Sequence, residues 1–280
     1  MRFGSIAVRV VSDGSFLLDG GPVFGIIPKT LWERTAKPDR KNRVRLGLNS
    51  TLVRTPSGNI LVDCGIGNKD PETSREVYGH SSSKLLRNLR KLGVAARDIG
   101  WVVLTHLHFD HSGGATRLDR EGNLVPTFPR AKYLVQRSSW EEAFNPSERS
   151  LPSLGNGCGH LKIVEERGQL VLLDGDTEIA PGVRAHLTGG PSAGHQVVTV
   201  DSGSERFVTL GDLIPTPNHL PLPCITAFDR TPDVTLAKKK ELLERCEREG
   251  WLMIFSHGYD DYAGYIERRR GAAALRPIAV

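Results

Sequence analysis

The sequence predicts an α/β domain in which β-sheet is packed between helices. Short apolar or alternating runs occur early in the chain and again in its middle, and helical stripes are interleaved with them in both halves. No internal repeat, low-complexity tract or clear linker divides the 280 residues, and one large domain can fill that length. We therefore expect residues 1–280 to form a single domain.

The first clear element is a β-hairpin at residues 51–64. Two β-rich runs, TLVRT and ILVDC, lie on either side of turn residues 56–59, whose sequence is PSGN. The remaining strands are predicted from short apolar runs at 101–105, 131–135, 169–173, 183–187, 196–200, 206–210 and, as the final buried strand, 251–255.

Three helices are predicted between these strands. A leucine stripe marks residues 82–92, and a short helix is expected to start at Ser138 with that serine as its cap. The third helix spans 234–248, with an apolar face made of Leu236, Ala237, Leu242, Leu243 and Cys246. Residues 145–162 are expected to be a loop, and the proline-rich, apolar residues 213–228 a long structured loop.

Composition and charge indicate an ordinary globular chain without a membrane or nucleic-acid partner. No stretch approaches the roughly 18 apolar residues of a membrane span, and Arg9 and Asp13 interrupt the N-terminal apolar residues, so no signal peptide is predicted. The four cysteines are widely spaced, which favours free thiols and a cytoplasmic location. The net charge of +5 includes the basic runs 238–240 and 268–270, which are interpreted as solvated faces.

The stretch 105–111, THLHFDH, places three histidines and an aspartate within six residues. It follows the apolar run 101–104 and precedes two glycines, so it lies where a strand ends and a loop begins. His106 and His108 would point to the same side of an extended chain, and Asp110 and His111 follow in the loop. Imidazole and carboxylate are preferred ligands of zinc and similar ions, and four of them can supply two adjacent metals.

Two further candidate ligands follow predicted strands elsewhere in the chain. Asp212 comes just after the apolar run 206–210, and His257 comes just after 251–255. Sites of α/β sheets lie beyond the carboxyl ends of strands, which is where all three candidate segments are expected. Alone, either residue would be interpreted as a loop cap or a surface group.

The motif THLHFDHSGG resembles the H-x-H-x-D-H signature of the metallo-β-lactamase-fold hydrolases. The resemblance extends over most of the chain: LVDCGIG at 61–67 is similar to that family's "VDTG" segment, and TGGPSAGHQ at 188–196 is similar to its "TPGHTPGHQ" segment. It implies a four-layer αββα sandwich with the metals at one edge of the two sheets.

The resemblance also implies roles for individual residues. His106, His108 and a third histidine would hold one metal, and Asp110, His111 and His257 would hold the other, with Asp212 bridging both. A hydroxide between the metals would attack a carbonyl or phosphoryl centre, and Asp110 would orient it and pass a proton to the leaving group. The expected cofactor is Zn²⁺, as one or two ions.

The third histidine is missing from this sequence, because the alignment of the glycine-rich segment places Pro191 at its position. Three interpretations stay open: His106, His108 and Asp212 alone hold the first metal weakly, His195 or His186 replaces the missing ligand, or only the second site is filled. We expect weak or partial occupancy of the first site, and we interpret His195 as a structural histidine behind the ligands.

The expected function is metal-dependent hydrolysis of a small, partly hydrophobic ester or lactone. The apolar segments 20–32 and 213–228 could form the walls of a substrate pocket, or could simply pack against the domain. Two alternatives remain: a phosphotriester or β-lactam hydrolase, and a metal-binding member of the fold that is catalytically weak or silent. The sequence predicts a small-molecule substrate and leaves the oligomeric state open.

Overall fold

The computed structural model describes residues 1–154, 158–203, 205–269 and 271–280. The strands are β1 (Arg2–Phe3), β2 (Ile6–Asp19), β3 (Arg43–Thr55), β4 (Gly58–Val62), β5 (Ile99–Val103), β6 (Thr116–Leu118), β7 (Leu124–Pro126), β8 (Lys132–Gln136), β9 (Leu170–Leu173), β10 (Thr177–Ala180), β11 (Val183–Leu187), β12 (Gln196–Asp201), β13 (Arg206–Thr209), β14 (Leu252–Ile254), β15 (Ala263–Arg269) and β16 (Ala272–Pro277).

The α-helices are α1 (Gly20–Phe24), α2 (Lys29–Trp32), α3 (Pro71–Tyr78), α4 (Leu85–Lys91), α5 (Phe109–Ser112), α6 (Arg137–Phe144), α7 (Lys162–Glu166) and α8 (Pro232–Glu249). Short 3₁₀ turns occur at Ala96–Asp98, Gly113–Ala115, Leu151–Leu154, Cys158–Leu161 and Pro217–His219.

Within the described residues the strands form two seven-stranded sheets and a small two-stranded one. The first sheet has the order β1-β2-β3-β4-β5-β8-β9, and the second has the order β10-β11-β12-β13-β14-β15-β16. The pairs β4–β5, β5–β8 and β8–β9 of the first sheet are parallel, as is the pair β13–β14 of the second. The other pairs are antiparallel.

The alternation of side chains along each strand creates three packed layers of core. Ile60 and Val62 of β4 point into the core between the two sheets, whereas Leu61 points to the opposite face, toward Leu85 and Leu89 of α4. On the second sheet, Val208 of β13 packs instead with residues of α8. Helices therefore cover the outer face of each sheet, giving the predicted αββα sandwich.

The parallel strands bring their carboxyl ends to one edge of the sandwich. Asp63 follows β4, the segment 105–111 follows β5, Asp212 follows β13, and His257 follows β14. The hydrogen bonds from Asn49 Nδ2 to the carbonyls of Phe255 (3.1 Å) and Gly258 (2.7 Å) join the first sheet to the segment after β14 at this edge. Residues far apart in sequence can thus share one site.

The sequence located the central strands and β9, but missed strands at the other edges of the two sheets. The predicted hairpin and the strands at 101–105, 131–135, 169–173, 183–187, 196–200 and 206–210 correspond to β3–β4, β5, β8, β9, β11, β12 and β13. The longest strand, β2, was not predicted, because Asp13 and Gly14 interrupt its alternation at a register shift between Ser12 and Gly14. The strand predicted at 251–255 corresponds to β14, but the prediction that it is the final strand was wrong, because β15 and β16 follow it.

The predicted helices are present with different details. Helix α6 starts at Arg137, and no side chain caps it, so the expected Ser138 cap is absent. Leu236 and Ala237 are exposed on α8, whose buried stripe is Thr235, Lys239, Leu243 and Cys246. The expected solvated face at 238–240 is therefore wrong for Lys239, while Arg270 of the other basic run lies outside the described residues.

The predicted loop at 145–162 contains two 3₁₀ turns and the start of α7, and its residues 155–157 lie outside the described residues. All four cysteines are buried free thiols, as expected. In the part of the chain that the structure describes, no helix is long and apolar enough to span a bilayer.

Candidate metal centre

Six predicted side chains come together at the common edge of the two sheets. They form two groups whose possible ligand atoms lie within 4.8 Å of one another. The first group is His106, His108 and Asp212, and the second is Asp110, His111 and His257. Their role as metal ligands stays a prediction, but their convergence is a property of the fold.

Asp212 lies between the two groups and contacts both. Its Oδ2 atom is 3.5 Å from His106 Nε2, and its Oδ1 atom is 3.1 Å from the Nε2 atoms of both His111 and His257. A carboxylate with one oxygen directed to each group has the geometry of a bridging ligand.

The ligand atoms of the second group lie close together. The Nε2 atoms of His111 and His257 are 3.0 Å apart, and Asp110 Oδ2 is 3.4 Å from His257 Nε2 and 3.9 Å from His111 Nε2. Two imidazole nitrogens and two carboxylates thus surround a single point, a donor set that suits a divalent cation.

A short helix, rather than the expected loop, carries Asp110 and His111. The chain is extended up to His108, and α5 then begins, so Asp110 and His111 point back toward the edge. The hydroxyl of Ser112 donates to the His108 carbonyl at 3.0 Å. The adjoining turn requires glycine, because a Cβ atom on Gly114 would lie 2.1 Å from the Cys64 carbonyl oxygen.

Asp63 is a functional candidate that sequence reasoning did not single out. Its Oδ2 atom accepts a hydrogen bond from His111 Nδ1 at 2.8 Å, and its Oδ1 atom accepts one from the Thr105 backbone N–H at 2.8 Å. With Nδ1 protonated, His111 directs the lone pair of Nε2 toward Asp212. The available signal was the segment 61–67, in which this aspartate follows β4.

Similar contacts fix the rings of His106 and His257. The Thr105 hydroxyl donates to Asp63 Oδ2 at 2.9 Å, so it accepts from His106 Nδ1 at 3.1 Å. His106 Nε2 therefore carries a lone pair, and neither that buried atom nor Asp212 Oδ1 has a hydrogen-bond partner among the described residues. His257 Nδ1 donates to the Gly47 carbonyl at 2.9 Å. Buried acceptors without donors are what a cation site requires.

His195 and His186 belong to neither group. His195 Nε2 accepts from the Asp212 backbone N–H at 2.9 Å, and its Nδ1 atom donates to the Thr188 hydroxyl at 2.6 Å. His186 on β11 contacts Asp176 and Thr199 through its two ring nitrogens. Pro191 is buried, and its carbonyl accepts from the Arg230 N–H at 3.3 Å.

Burial and the carboxylates act differently on the two groups. Burial lowers the pKa of His106 well below its usual value and also lowers that of His108. Burial acts the same way on His111 and His257, but Asp212 and its neighbouring carboxylates outweigh it and raise both pKa values. The carboxylates therefore stabilise positive charge at the second group above all.

The centre opens into an apolar cavity of about 230 Å³. Four of the six converging side chains line it, together with Phe16, Leu18, Val23, Leu46, Tyr78, Phe109, Pro152, Ser153, Pro215, Thr216, His219, Thr226 and Phe228. Residues of both apolar segments considered as pocket walls, 20–32 and 213–228, are among them. A second, more polar cavity of about 470 Å³ also reaches His257 and is lined by Arg34, Lys37, Asp260 and Asp261.

Comparison with known proteins places these features in a family context. The family model described as the metallo-beta-lactamase superfamily matches residues 44–263. An N-acyl homoserine lactonase of Bacillus thuringiensis is 28% identical over 224 residues, which are 74% of this chain and 79% of that protein. A Bacillus cereus protein of the same name is 25% identical over 240 residues, covering 80% of this chain and 86% of its own.

Solved structures show the same architecture. A probable metal-dependent hydrolase from Staphylococcus aureus matches with a TM-score of 0.86 and 27% identity over 100% of both chains. AidC, a dizinc quorum-quenching lactonase, matches with a TM-score of 0.80 over 100% of this chain and 97% of its own. At 21% identity, the match to AidC is evidence for the shared fold alone.

Proposed function

The chain belongs to the metallo-β-lactamase superfamily and is a metal-dependent hydrolase, and we propose that it hydrolyses small lactones that carry an apolar substituent. One observation carries the proposal: the first group, which includes Asp212, and the second group, which Asp212 also contacts, open directly into an apolar cavity. A lactone ring at the donor groups would place its substituent in that cavity. The N-acyl homoserine lactonase relatives support the same substrate class.

We propose zinc as the metal, with His106, His108 and Asp212 holding one ion and Asp110, His111, His257 and Asp212 holding another. The unpartnered lone pair of His106 and the carboxylates around His111 fit such ions. The first ion is expected to bind more weakly, because Pro191 offers no ligand atom. When bound, zinc lowers the pKa of a water molecule and polarises a carbonyl oxygen.

We propose three roles in the reaction for the protein's own residues. Asp110 lines the apolar cavity beside His257, with its Oδ2 atom 3.4 Å from His257 Nε2. Its carboxylate would take up the proton that a water molecule loses on attacking the lactone carbonyl, and would pass it to the ring oxygen that leaves as the carbonyl–oxygen bond breaks. Phe109 and Phe16 exclude water from the cavity wall beside it. Asp63 and His195 hold His111 and Asp212 in position.

We also propose that residues 1–280 form one domain. The core between the two sheets contains Ile6 of β2 near one end of the chain and Ala263 of β15 near the other. Separate domains would each require a core of their own.

A panel of substrates combined with metal analysis tests the function. Purified protein is assayed against N-acyl homoserine lactones, aryl esters, phosphotriesters and β-lactams, with Asp212→Asn and a chelated sample as controls. We expect lactones to give the highest kcat/KM and both controls to lose activity. A preference for phosphotriesters or β-lactams would favour the alternative hydrolases, and tight metal binding without turnover would indicate a silent member of the fold.

A further inference from the structure

Lys239 is a lysine of α8 whose side chain is completely buried. Its ammonium donates to the carbonyls of Pro221 and Cys224 at 2.8 Å each and approaches that of Leu222 at 3.4 Å. A buried ammonium is costly unless its donors are satisfied, and here all three acceptors are backbone carbonyls of one loop. The segment 213–228 is called the wall loop below.

Helix α8 holds this loop at a second point, one turn earlier. The Thr235 hydroxyl donates to Asp229 Oδ2, and the other oxygen of Asp229 accepts from the Thr226 hydroxyl at 2.6 Å. Residues four apart lie on the same side of a helix, so Thr235 and Lys239 face the loop together. The helix therefore holds the wall loop directly at 221–224 and, through Asp229 just after its end, at Thr226.

The wall loop is joined in turn to α1. His219 Nε2 donates to the Val23 carbonyl at 2.9 Å, and its ring stacks on Phe24 with centroids 5.2 Å apart. The Ala227 N–H donates to the Pro22 carbonyl at 2.8 Å. The loop and α1 consequently form one connected surface, and the Lys239 contacts tie that surface to α8.

This surface supplies much of the apolar cavity but none of the six converging side chains. Val23, Thr226 and Phe228 line the cavity, whereas Asp212 precedes the loop and the other five candidate ligands belong to other segments. Lys239 does not line the cavity itself. A change at Lys239 should therefore alter the cavity wall without removing any candidate ligand.

We propose that Lys239 is a positioning residue for substrate specificity, which sets the shape of the apolar cavity by anchoring the wall loop. It selects substrates with long apolar substituents over substrates with short ones. This inference rests on the proposed lactone hydrolysis. It assigns the specificity to a buried contact on α8 that substrate does not reach.

The test compares Lys239→Met, which keeps the length and apolar stem but loses the ammonium, with Lys240→Met on the exposed side of the same helix. For Lys239→Met, KM for N-decanoyl homoserine lactone should rise about tenfold, the effect of losing contact with about two methylene groups. KM for the N-butanoyl lactone, kcat for both and metal content should change little. Lys240→Met should match the wild type throughout.

Hydrogen exchange supplies a readout that does not depend on catalysis. Amides of residues 219–228 should exchange faster in Lys239→Met than in Lys240→Met. If Lys239→Met does not fold, Lys239→Gln, which keeps two N–H donors on a shorter side chain, takes its place with a smaller expected effect.

Three outcomes would overturn the inference: unchanged exchange of the loop, an unchanged ratio of the two KM values, or a parallel fall of kcat and metal content for both substrates. The proposed function fails separately, when the wild type hydrolyses no lactone at all. In that case exchange of the wall loop still decides whether Lys239 anchors it.

Discussion

The Nε2 atom of His195 accepts a hydrogen bond from the backbone N–H of Asp212 at 2.9 Å. Burial lowers the pKa of His195 to about 3, so the ring is neutral and able to accept. The contact is close: Gly211 has φ +54°, and a Cβ atom there would lie 2.5 Å from His195 Nε2. The histidine considered as a substitute for the missing ligand thus contacts the backbone of Asp212, the proposed bridging residue.

Replacing His195 with alanine should weaken metal binding without removing a ligand. The Asp212 N–H would lose its acceptor, and the carboxylate would lose its fixed orientation. Loss of such a supporting contact costs about 10- to 100-fold in metal affinity or activity. Zinc titration and kcat/KM of His195→Ala measure this effect. His186→Ala is the control, and equal behaviour of the two variants would contradict the role.

Asp63→Asn should disturb His111 while leaving the backbone intact. Asp63 has φ +60°, a conformation that asparagine also tolerates. An amide N–H facing His111 Nδ1 would favour the other tautomer, whose Nε2 proton points at Asp212. We expect metal affinity to fall about 10- to 100-fold. Asp119, a turn residue whose carboxylate accepts from the nearby N–H groups of Glu121 and Asn123, serves as the control when it is changed to asparagine in the same zinc titration.

The second donor group should matter more than the first. Asp110→Asn removes a carboxylate from the compact group and the proposed proton carrier, whereas His106→Ala removes one donor from a group that already lacks a third imidazole. Asp110→Asn should therefore lose more bound metal and more turnover. Metal content and kcat of the two purified variants decide the comparison, and equal losses would count against it.

Asp229 gives a pH-dependent prediction for stability. Burial raises its pKa from 3.8 to about 6, although hydrogen bonds from Thr226 and Thr235 oppose the shift. The folded state therefore holds the proton more strongly, and the stability this provides is lost as the pH rises from about 4 to about 6. The unfolding free energy of wild type minus that of Asp229→Asn should fall by at most about 3 kcal/mol across that interval.

Urea unfolding at a series of pH values, with a chelator in every sample, measures this difference. Asp233→Asn, an exposed aspartate in the first turn of α8, is the control and should show no such trend. A difference that stays flat from pH 4 to 6 would mean that Asp229 titrates as an ordinary carboxyl group.

The sequence predicted those parts of the protein that are indicated by residues lying close together in the chain. The segment 105–111 carries four candidate ligands in one motif, and the apolar runs of β5, β13 and β14 indicated where Asp212 and His257 would lie. Parallel strands made their convergence predictable, because the ends of such strands share an edge.

Residues whose partners are distant in sequence were not predictable. Asp13 interrupts β2 and is fully buried, because it accepts hydrogen bonds from the N–H groups of Lys84 and Leu85, about 70 residues away. Lys239 lies within a run of three lysines, and nothing local distinguishes the buried one from its exposed neighbour Lys240. Whether a charged side chain can be buried depends on its hydrogen-bond partners, and only the fold brings those partners near it.

The last prediction concerns Pro191. If it occupies the position of the missing ligand, Pro191→His should add an imidazole as a fourth donor beside His106, His108 and Asp212 and tighten metal binding there, since imidazole is a preferred ligand of zinc. The change frees the backbone at this position, because proline fixes φ near −65°. The loop is also held by the Gly190 carbonyl, which accepts from the Arg230 and Thr231 N–H groups at 3.1 and 3.0 Å. Those bonds do not involve the proline ring, so the loop should persist.

Zinc titration of Pro191→His should show a tighter first site, with higher kcat if the wild type is limited by low occupancy. Two tight equivalents in the wild type and no gain in the variant would show that the alignment at this segment is wrong.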